Sequence, residues 1–324
     1  MQMKLKLDEQ AFERPSQIQE FVQGLRRQFL PLKFAYIGSA AFTHDQLVKS
    51  PSYRLSDIES TLIRERFYKD IVTKLDLSKK SLNIVDIGSG NGLKAVIVLD
   101  VLFSNQFFAR YLGLDYSQNL LKIAKENIVS ALPAFGVINT EVVDFENESF
   151  ADAVLKYLPI DQYSLFVLLG HTLGNPLNRI ATLTNIRNSI IDKNSSGFCV
   201  GIELFDKAKV NEMLMNYQND AFRRAVFTPL TFVGLSPEDG LLDIGFNHST
   251  KNVEVYFEFY KEVHIDCGAL GSVEYEKGDR ILLFLSHRFD LETLRQNFAE
   301  TKFEIVATLL NPKANYALLF SVPV

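Results

Sequence analysis

Between residues 60 and 205, short apolar runs alternate with longer segments in which apolar positions recur at a helical period. The apolar runs predict strands at 83–88, 109–115, 137–145, 163–170 and 197–205, with helices near 93–104, 118–130, 150–157 and 178–191. Strands that are apolar throughout and separated by helices indicate a parallel sheet covered on both faces. Because such crossovers are right-handed, the pattern predicts a doubly wound, Rossmann-like α/β domain.

The C-terminal part of the chain follows a different pattern. Residues 302–310 and 315–322 are apolar runs joined by the turn-like segment 311–314, which indicates an antiparallel hairpin. A helix is predicted before them over 290–300, with Asp290 as its candidate N-cap. A parallel sheet that ends in an antiparallel hairpin is typical of class I methyltransferases and not of most dehydrogenases. The predicted fold class is therefore the α/β fold of class I methyltransferases.

Residues 206–289 interrupt the α/β alternation. Along 253–265 the side chains alternate between two faces: Val253, Val255, Phe257 and Phe259 on one, and Glu254, Tyr256, Glu258 and Tyr260 on the other. This period of two predicts one half-buried antiparallel strand, and 281–286 predicts another. We therefore expect residues 60–205 and 290–324 to form the sheet domain. Residues 1–59 and 206–289 are expected to form a smaller α+β domain on the substrate side.

Composition narrows the possible settings and partners. The chain has 324 residues, is 47% hydrophobic and 23% charged, and carries a net charge of −5. Two distant cysteines predict no disulfide framework, and the five histidines show no metal-ligand spacing, so no metal is expected. No apolar run approaches the roughly 20 residues that span a bilayer, and no signal peptide is evident, which predicts a cytoplasmic setting. The negative charge offers no general attraction to nucleic acids or anionic membranes, so neither is an expected partner.

A glycine-rich loop, VDIGSGNGLK, joins the first predicted strand to the following helix and contains Gly88, Gly90 and Gly92. The nicotinamide-binding fingerprint would have its last glycine where Leu93 stands. The spacing found here favours a nucleoside that lies over the loop. The alternative is a tight strand–helix turn without a ligand.

Acidic residues end the next two predicted strands. Asp115 stands where a carboxylate accepts both ribose hydroxyls, although it is also a candidate N-cap, in competition with Ser117. Asp144 and Phe145 follow the third strand, where a carboxylate can receive an adenine amino group and a ring can stack; the alternative for Asp144 is a solvated turn residue. Together with the loop, these features predict S-adenosylmethionine (SAM) as the ligand.

The segment LLGHTLGNP follows the fourth predicted strand, at the edge of the sheet that lines a binding crevice. Asn175-Pro176 is similar to the start of the Asn-Pro-Pro-aromatic motif of nucleic-acid amino-methyltransferases, whose amide holds the target nitrogen. Leu177 departs from that motif, and a simple turn at residues 174–176 is the alternative. His171, in the same segment, is expected to be a hydrogen-bonded structural residue.

Five segments, in order along the chain, resemble the histidine-specific Nα-methyltransferase family of the ergothioneine pathway: FAYIGSAAF, SPSYRLSDIE, DIGSGNGLK, LGHTLGN and GIELFDK. The resemblance runs over nearly the whole chain and implies an enzyme that methylates an amino acid with SAM as cofactor. It also implies a methyltransferase domain joined to a second domain that is built from the N-terminal segment and the insertion.

The resemblance implies roles for single residues. For the cofactor, the positions that match are Gly88 and Lys94 in the loop, Asp115 at the ribose, and Asp144 with Phe145 at the adenine. Asn175 matches a residue that holds the substrate, Tyr36 and Tyr53 match tyrosines that border its amine and carboxylate, and Tyr217 is similar to another carboxylate-binding tyrosine. Asn175 and Tyr36 are the expected catalytic residues.

One departure concerns the substrate. The family contacts the imidazole ring through a Glu-x-Ser segment, and the matching residues here are Phe284, Leu285 and Ser286. A phenylalanine accepts no hydrogen bond from a ring nitrogen, and a site built on such a bond loses discrimination without it. The expected substrate is the α-amine of histidine or a related amino acid or small amine, with a more apolar, tryptophan-like amine better suited to Phe284. Two alternatives stay open: a nucleic-acid or protein methyltransferase of the same fold, and a SAM-binding protein without catalysis.

Overall fold

The computed structural model describes residues 2–49, 55–75, 77, 81–311 and 315–324, with only the backbone of residues 55–57. The chain forms two compact units, each built from two separate stretches. One unit, here called the insertion unit, contains Met1–Tyr53 and Lys207–His287. The other, the sheet unit, contains Arg54–Asp206 and Arg288–Val324.

The elements follow in chain order. The N-terminal stretch contains β1 (Met3–Lys6), α1 (Pro15–Arg26), a 3-10 helix (Leu32–Tyr36) and α2 (Ala40–Lys49). The first stretch of the sheet unit contains α3 (Leu55–Leu62), a π-helical turn (Ile63–Phe67), α4 (Tyr68–Asp70), β2 (Ser81–Ile87), α5 (Leu93–Ser104), β3 (Phe108–Asp115), α6 (Gln118–Ala131), β4 (Ile138–Val142), α7 (Ala151–Tyr157), β5 (Ser164–Leu168), α8 (Arg179–Ser189) and β6 (Ser196–Glu203).

The chain then returns to the insertion unit with α9 (Val210–Met215), α10 (Asp220–Thr231), β7 (Gly240–Asn247), β8 (Asn252–Phe259), β9 (Val263–Asp266), β10 (Ser272–Tyr275) and β11 (Arg280–His287). It ends in the sheet unit with α11 (Leu291–Glu300), β12 (Phe303–Asn311) and β13 (Tyr316–Pro323). Asp290 stands at the N-cap of α11 as predicted, but its side chain makes no capping hydrogen bond.

The sheet unit has a seven-stranded sheet in the order β4-β3-β2-β5-β6-β13-β12. Strands β2 to β6 are parallel, whereas β13 runs antiparallel to both β6 and β12. Alternate side chains of β2 enter two separate hydrophobic cores, Val85 and Ile87 on one face and Leu82 and Ile84 on the other. This confirms the predicted class I methyltransferase fold, a doubly wound sheet with a C-terminal hairpin. Residues 312–314 of the predicted hairpin turn lie outside the described residues.

Strand β4 is shorter than predicted, because the backbone turns at Asp144. The carbonyl oxygen of Asp144 accepts hydrogen bonds from the backbone N–H groups of Asn147 at 2.9 Å and Glu148 at 2.7 Å. The chain therefore leaves the sheet just after β4, and this turn presents Asp144 and Phe145 at the carboxyl edge.

The insertion unit contains two three-stranded sheets, β1-β9-β10 and β11-β8-β7. The single strand predicted over 253–265 is wrong, because it is two strands in different sheets. Strand β8 ends at Phe259, with Val253, Val255 and Phe257 buried on the predicted face. Residues Val263–Asp266 instead form β9, which pairs in parallel with the N-terminal strand β1. This long-range pairing places them in the sheet β1-β9-β10 and not in the sheet that contains β8.

No helix among the described residues is long and apolar enough to cross a bilayer. In the same residues, no group of three or more His, Cys, Asp or Glu side chains is arranged to hold a metal ion.

Candidate active site

The three glycines of the loop after β2 all have positive φ, at +64°, +55° and +74° for Gly88, Gly90 and Gly92. A Cβ at Gly92 would lie 2.8 Å from the Cα of Ala124, so this glycine lets the start of α5 pack against α6. A Cβ at Gly90 would meet nothing within 4 Å. Gly92 therefore serves packing, whereas Gly90 leaves open space over the loop.

Asp115 ties the end of β3 to this loop. Its carboxylate is 5% exposed and accepts hydrogen bonds from the backbone N–H groups of Gly90 at 2.8 Å and Ser117 at 3.0 Å. The Ser117 hydroxyl accepts from the Leu120 N–H at 3.2 Å, so Ser117 is the residue that caps α6. The Asp115 carboxylate therefore lies directly beside Gly90 and the open space over the loop.

Asp144 and Phe145 lie at the same edge of the sheet. Asp144 is 7% exposed, and its two oxygens accept from the Glu146 N–H at 3.2 Å and the Asn147 side-chain amide at 2.9 Å. The Phe145 ring is close to Gly88, where an added Cβ would lie 3.3 Å from its Cε1. The same Cβ would lie 3.3 Å from the methyl group of Thr172, which follows β5. The ends of β2, β3, β4 and β5 thus converge on the glycine loop.

Asn175 ends a short 3-10 helix, Thr172–Gly174, on the segment that passes Gly88. Its backbone N–H donates to the Thr172 carbonyl at 3.1 Å. Its half-buried side-chain amide has no hydrogen-bond partner among the residues that the structure describes. The amide is therefore available to a ligand at this edge.

Lys94, in the first turn of α5, forms an ion pair with Glu59 of α3. Glu59 was not predicted as a site residue from the sequence, although it belongs to one of the segments that carry the family resemblance. Glu59 is fully buried and accepts further hydrogen bonds from the Gly170 N–H at 3.0 Å and the Tyr316 hydroxyl at 2.6 Å. An acidic residue in the first turns of a helix normally suggests a solvated position, so only the packed structure identifies this contact.

A second acidic residue close to the loop, Asp86, was also not predicted from the sequence. Asp86, in β2, is 3% exposed and accepts a hydrogen bond from the Tyr111 hydroxyl at 2.8 Å. Burial raises the pKa of Asp86 to about 7; the Tyr111 hydrogen bond opposes the shift, while Asp115 and Glu59 add to it. The sequence contained a signal for this residue, because a carboxylate inside an otherwise apolar parallel strand is unusual.

His171 is a buried structural residue. Its Nδ1 accepts a hydrogen bond from the backbone N–H of Glu203 at 2.8 Å, and its Nε2 lies 3.0 Å from Nη1 of Arg288. A neutral imidazole accepts at one nitrogen only, so the Glu203 bond assigns the ring proton to Nε2 and leaves the arginine contact without a hydrogen bond. Arg288 is 1% exposed and pairs instead with the Glu203 carboxylate at 2.6 Å.

Four of the residues expected at the substrate belong to the insertion unit: Tyr36, Tyr217, Phe284 and Ser286. Tyr53 lies outside the described residues. Tyr36 ends the 3-10 helix Leu32–Tyr36 and contacts the His44 ring edge-on, with 4.5 Å between the ring centroids. Burial lowers the pKa of His44 to about 4, against the opposing charge of Asp45, so the ring is neutral at pH 7.

Phe284 belongs to a cluster of three rings, here called the ring cluster. Its centroid lies 5.6 Å from that of Tyr217 and 5.1 Å from that of Phe222 on α10, and Tyr217 and Phe222 are 4.9 Å apart. Phe284 is 7% exposed and Ser286 is 2% exposed. The structure therefore brings Tyr217 and Phe284 together.

A β-bulge sets the direction of Phe284. The pairing of β11 with β8 shifts between Leu282 and Phe284, so that Phe284 opposes Val255 and Ser286 opposes Val253. Without the extra residue, Leu283 would stand opposite Val255, and Phe284 would face the other side of the sheet.

Comparison with known proteins also indicates a SAM-dependent methyltransferase. A family model described as "Histidine-specific methyltransferase, SAM-dependent" matches residues 17–322. A curated relative named Histidine N-alpha-methyltransferase, from Mycolicibacterium smegmatis, is 23% identical over 305 residues, which cover 90% of each chain.

The chain is also similar to solved structures of methyltransferases. A SAM-dependent methyltransferase from Clostridium acetobutylicum aligns with a TM-score of 0.42 and 10% identity, over 79% of this chain and 96% of that one. Magnesium protoporphyrin IX methyltransferase from Synechocystis, with bound SAH, gives a TM-score of 0.45 and 8% identity, over 89% and 96%. Because the family model spans most of the chain, this protein belongs to the histidine-specific, SAM-dependent methyltransferases.

Proposed function

We propose that this enzyme methylates the α-amine of a free amino acid, or a closely related amine, whose side chain is apolar or aromatic. One observation carries the proposal: the amide of Asn175 has no partner in the described chain and lies on the segment that passes Gly88 of the loop. An amide in this position suits a group that holds an amine nitrogen beside the cofactor.

The residues at the carboxyl edge of the sheet fit a nucleoside cofactor. The open space at Gly90 admits a flat group over the loop, and the Asp115 carboxylate, which lies beside Gly90, would accept ribose hydroxyls. Asp144 would accept the adenine amino group, and the Phe145 ring, next to Gly88, would contact the base. When bound, SAM supplies an electrophilic methyl group on a sulfonium.

The protein's own part in the reaction is alignment. Asn175 would fix the amine, and Tyr36 would border it, as the family resemblance implies. Holding reacting groups in line is worth roughly 7–11 kcal/mol when the geometry is right. A tyrosine ring beside the cationic product amine adds about 0.5–2 kcal/mol. The amine must arrive neutral or lose its proton in the site.

The substrate side chain is assigned from the ring cluster. The relative from Mycolicibacterium is named for histidine, and the family that the sequence resembles reads the imidazole with a glutamate at the position of Phe284. Here that position is buried between Tyr217 and Phe222 and offers no acceptor. An apolar or aromatic side chain loses nothing in such surroundings, whereas an imidazole loses its hydrogen bond.

The test is release of S-adenosylhomocysteine (SAH) from SAM with each of the free amino acids. We expect the highest kcat/KM with an apolar or aromatic amino acid, and a lower value with histidine. Phe284→Glu should shift the ratio of kcat/KM for histidine over that preferred substrate at least tenfold towards histidine, because it restores the acceptor. The matched control Phe284→Leu, which stays apolar, should leave histidine poor.

The outcomes separate the parts of the proposal. A wild-type preference for histidine would overturn the assignment of the side chain. SAH binding without turnover on any amine would indicate a protein that keeps the cofactor site and has lost catalysis.

A further inference from the structure

Glu59 is a fully buried carboxylate whose contacts are all donors. They are the ammonium of Lys94, the backbone N–H of Gly170 and the hydroxyl of Tyr316. An ionised carboxylate is acceptor-only, so this set of neighbours matches its charged form. Within the described chain, Lys94 is the one cation that contacts it.

The sheet is shaped to admit this carboxylate. A Cβ at Gly201 on β6 would lie 1.8 Å from Oε1 of Glu59, which is a direct overlap. A side chain at residue 201 would therefore expel the carboxylate from its position. The Glu59 side chain extends from α3 to the space beside Gly201 of β6. There it also contacts Gly170, which follows β5, and Tyr316 of β13.

Lys94 has donors to spare. Its side chain is 16% exposed. Among the described residues, Glu59 is the partner of its ammonium. An ammonium carries three N–H donors, so bonds to further groups remain possible. A Cβ at Gly170 would lie 3.7 Å from the Lys94 Cε, so the stem of the lysine lies along the segment that follows β5.

We propose that Glu59 is a positioning residue for the cofactor: it holds Lys94 at the carboxyl edge of the sheet, where the remaining N–H donors bind the cofactor's carboxylate. The inference rests on the proposed cofactor site. A lysine side chain has many rotamers, and fixing them before the ligand arrives lowers the entropy cost of binding. Without its anionic partner, Lys94 turns towards solvent and the cofactor must reorder it.

The test compares two ligands by calorimetry on the full chain. SAH carries the carboxylate, and 5′-methylthioadenosine has the same nucleoside and thioether without it. Glu59→Gln keeps the shape, because its amide oxygen accepts from Gly170 and Lys94 while its amide N–H donates to the Tyr316 oxygen. We expect about a tenfold loss of SAH affinity and less than a twofold change for methylthioadenosine.

A double-mutant cycle with Lys94→Met isolates the route of the effect. In the Lys94→Met background, Glu59→Gln should cause no further loss of SAH affinity. A continuing loss would mean that Glu59 acts on the ligand's ammonium and not through Lys94, which contradicts the proposal. If Glu59→Gln does not fold, Glu59→Asp takes its place, since it keeps the charge and shortens the reach.

Unchanged or tighter binding of SAH to Glu59→Gln overturns the positioning role, and so does an equal loss for both ligands, which indicates a structural role. A wild-type protein that binds neither ligand contradicts the proposed cofactor site itself. A wild type that prefers SAH, combined with a variant that keeps this preference, contradicts the inference about Glu59 alone.

Discussion

At the scale of the residue, Asp115 and Asn175 have different tasks. Asp115 anchors the loop through Gly90. In the proposed site it faces the ribose, whereas the Asn175 amide holds the substrate amine. Asp115→Ala should therefore lower SAH affinity at least tenfold, through the lost ribose contacts. Asn175→Ala should lower kcat at least tenfold with SAH affinity nearly intact. Calorimetry with SAH and steady-state kinetics check both, and a parallel loss of binding and turnover in Asn175→Ala would make it a folding residue.

Asp86 should make stability depend on pH. Its pKa in the folded protein is raised to about 7 from 3.8, so the folded state keeps a proton that the unfolded state loses. The stability it contributes is complete below pH 3.8 and is lost as pH rises towards 7. Asp86→Asn, which still accepts from Tyr111, removes this dependence. The variant's free energy of unfolding in urea, relative to wild type, should rise by roughly 3 kcal/mol between pH 5 and pH 8. An equal difference at both pH values would contradict the raised pKa.

At the scale of the element, the loop between β2 and α5 contains one glycine that permits close packing, Gly92, and one that lies beside open space, Gly90. Gly92→Ala places a methyl group 2.8 Å from the Ala124 backbone, in addition to the strain of positive φ, and should destabilise the fold by about 2–5 kcal/mol. Gly90→Ala enters open space and should cost about 1–2 kcal/mol of stability, while its methyl group takes the place of the ligand and weakens SAH binding. Thermal melts and calorimetry on both variants check this. Equal melting temperatures would contradict it.

The strands could be predicted from the sequence where an uninterrupted apolar run marked the whole strand. Strands β2, β3 and β6 lie within a residue or two of their predicted bounds because the burial of both faces makes the whole segment apolar. The pattern failed at 253–265, because alternation continues across a break between two sheets. It also gave no sign of the bulge before Phe284, since Leu283 and Leu285 are buried as well.

At the scale of the whole molecule, charge and family favour a small substrate. The chain carries a net charge of −5, which opposes the phosphate contacts on which nucleic-acid binding depends. We expect SAH release with free amines and none above background with an oligonucleotide or an unmodified peptide at matched concentrations. Turnover on either macromolecule that exceeds the best amino acid would favour the alternative substrate class.

The sequence by itself determined the alternation of strands and helices, the C-terminal hairpin, the glycine loop and the acidic residues at two strand ends. Each of these features depends on local spacing and burial. The tertiary structure alone decided which distant groups meet. Glu59 finds Lys94, Gly170 and Tyr316 only when α3 packs on the sheet, and residues 263–266 leave β8 only because β1 is there to pair with them. Such contacts join residues far apart in the chain, and no short pattern encodes them.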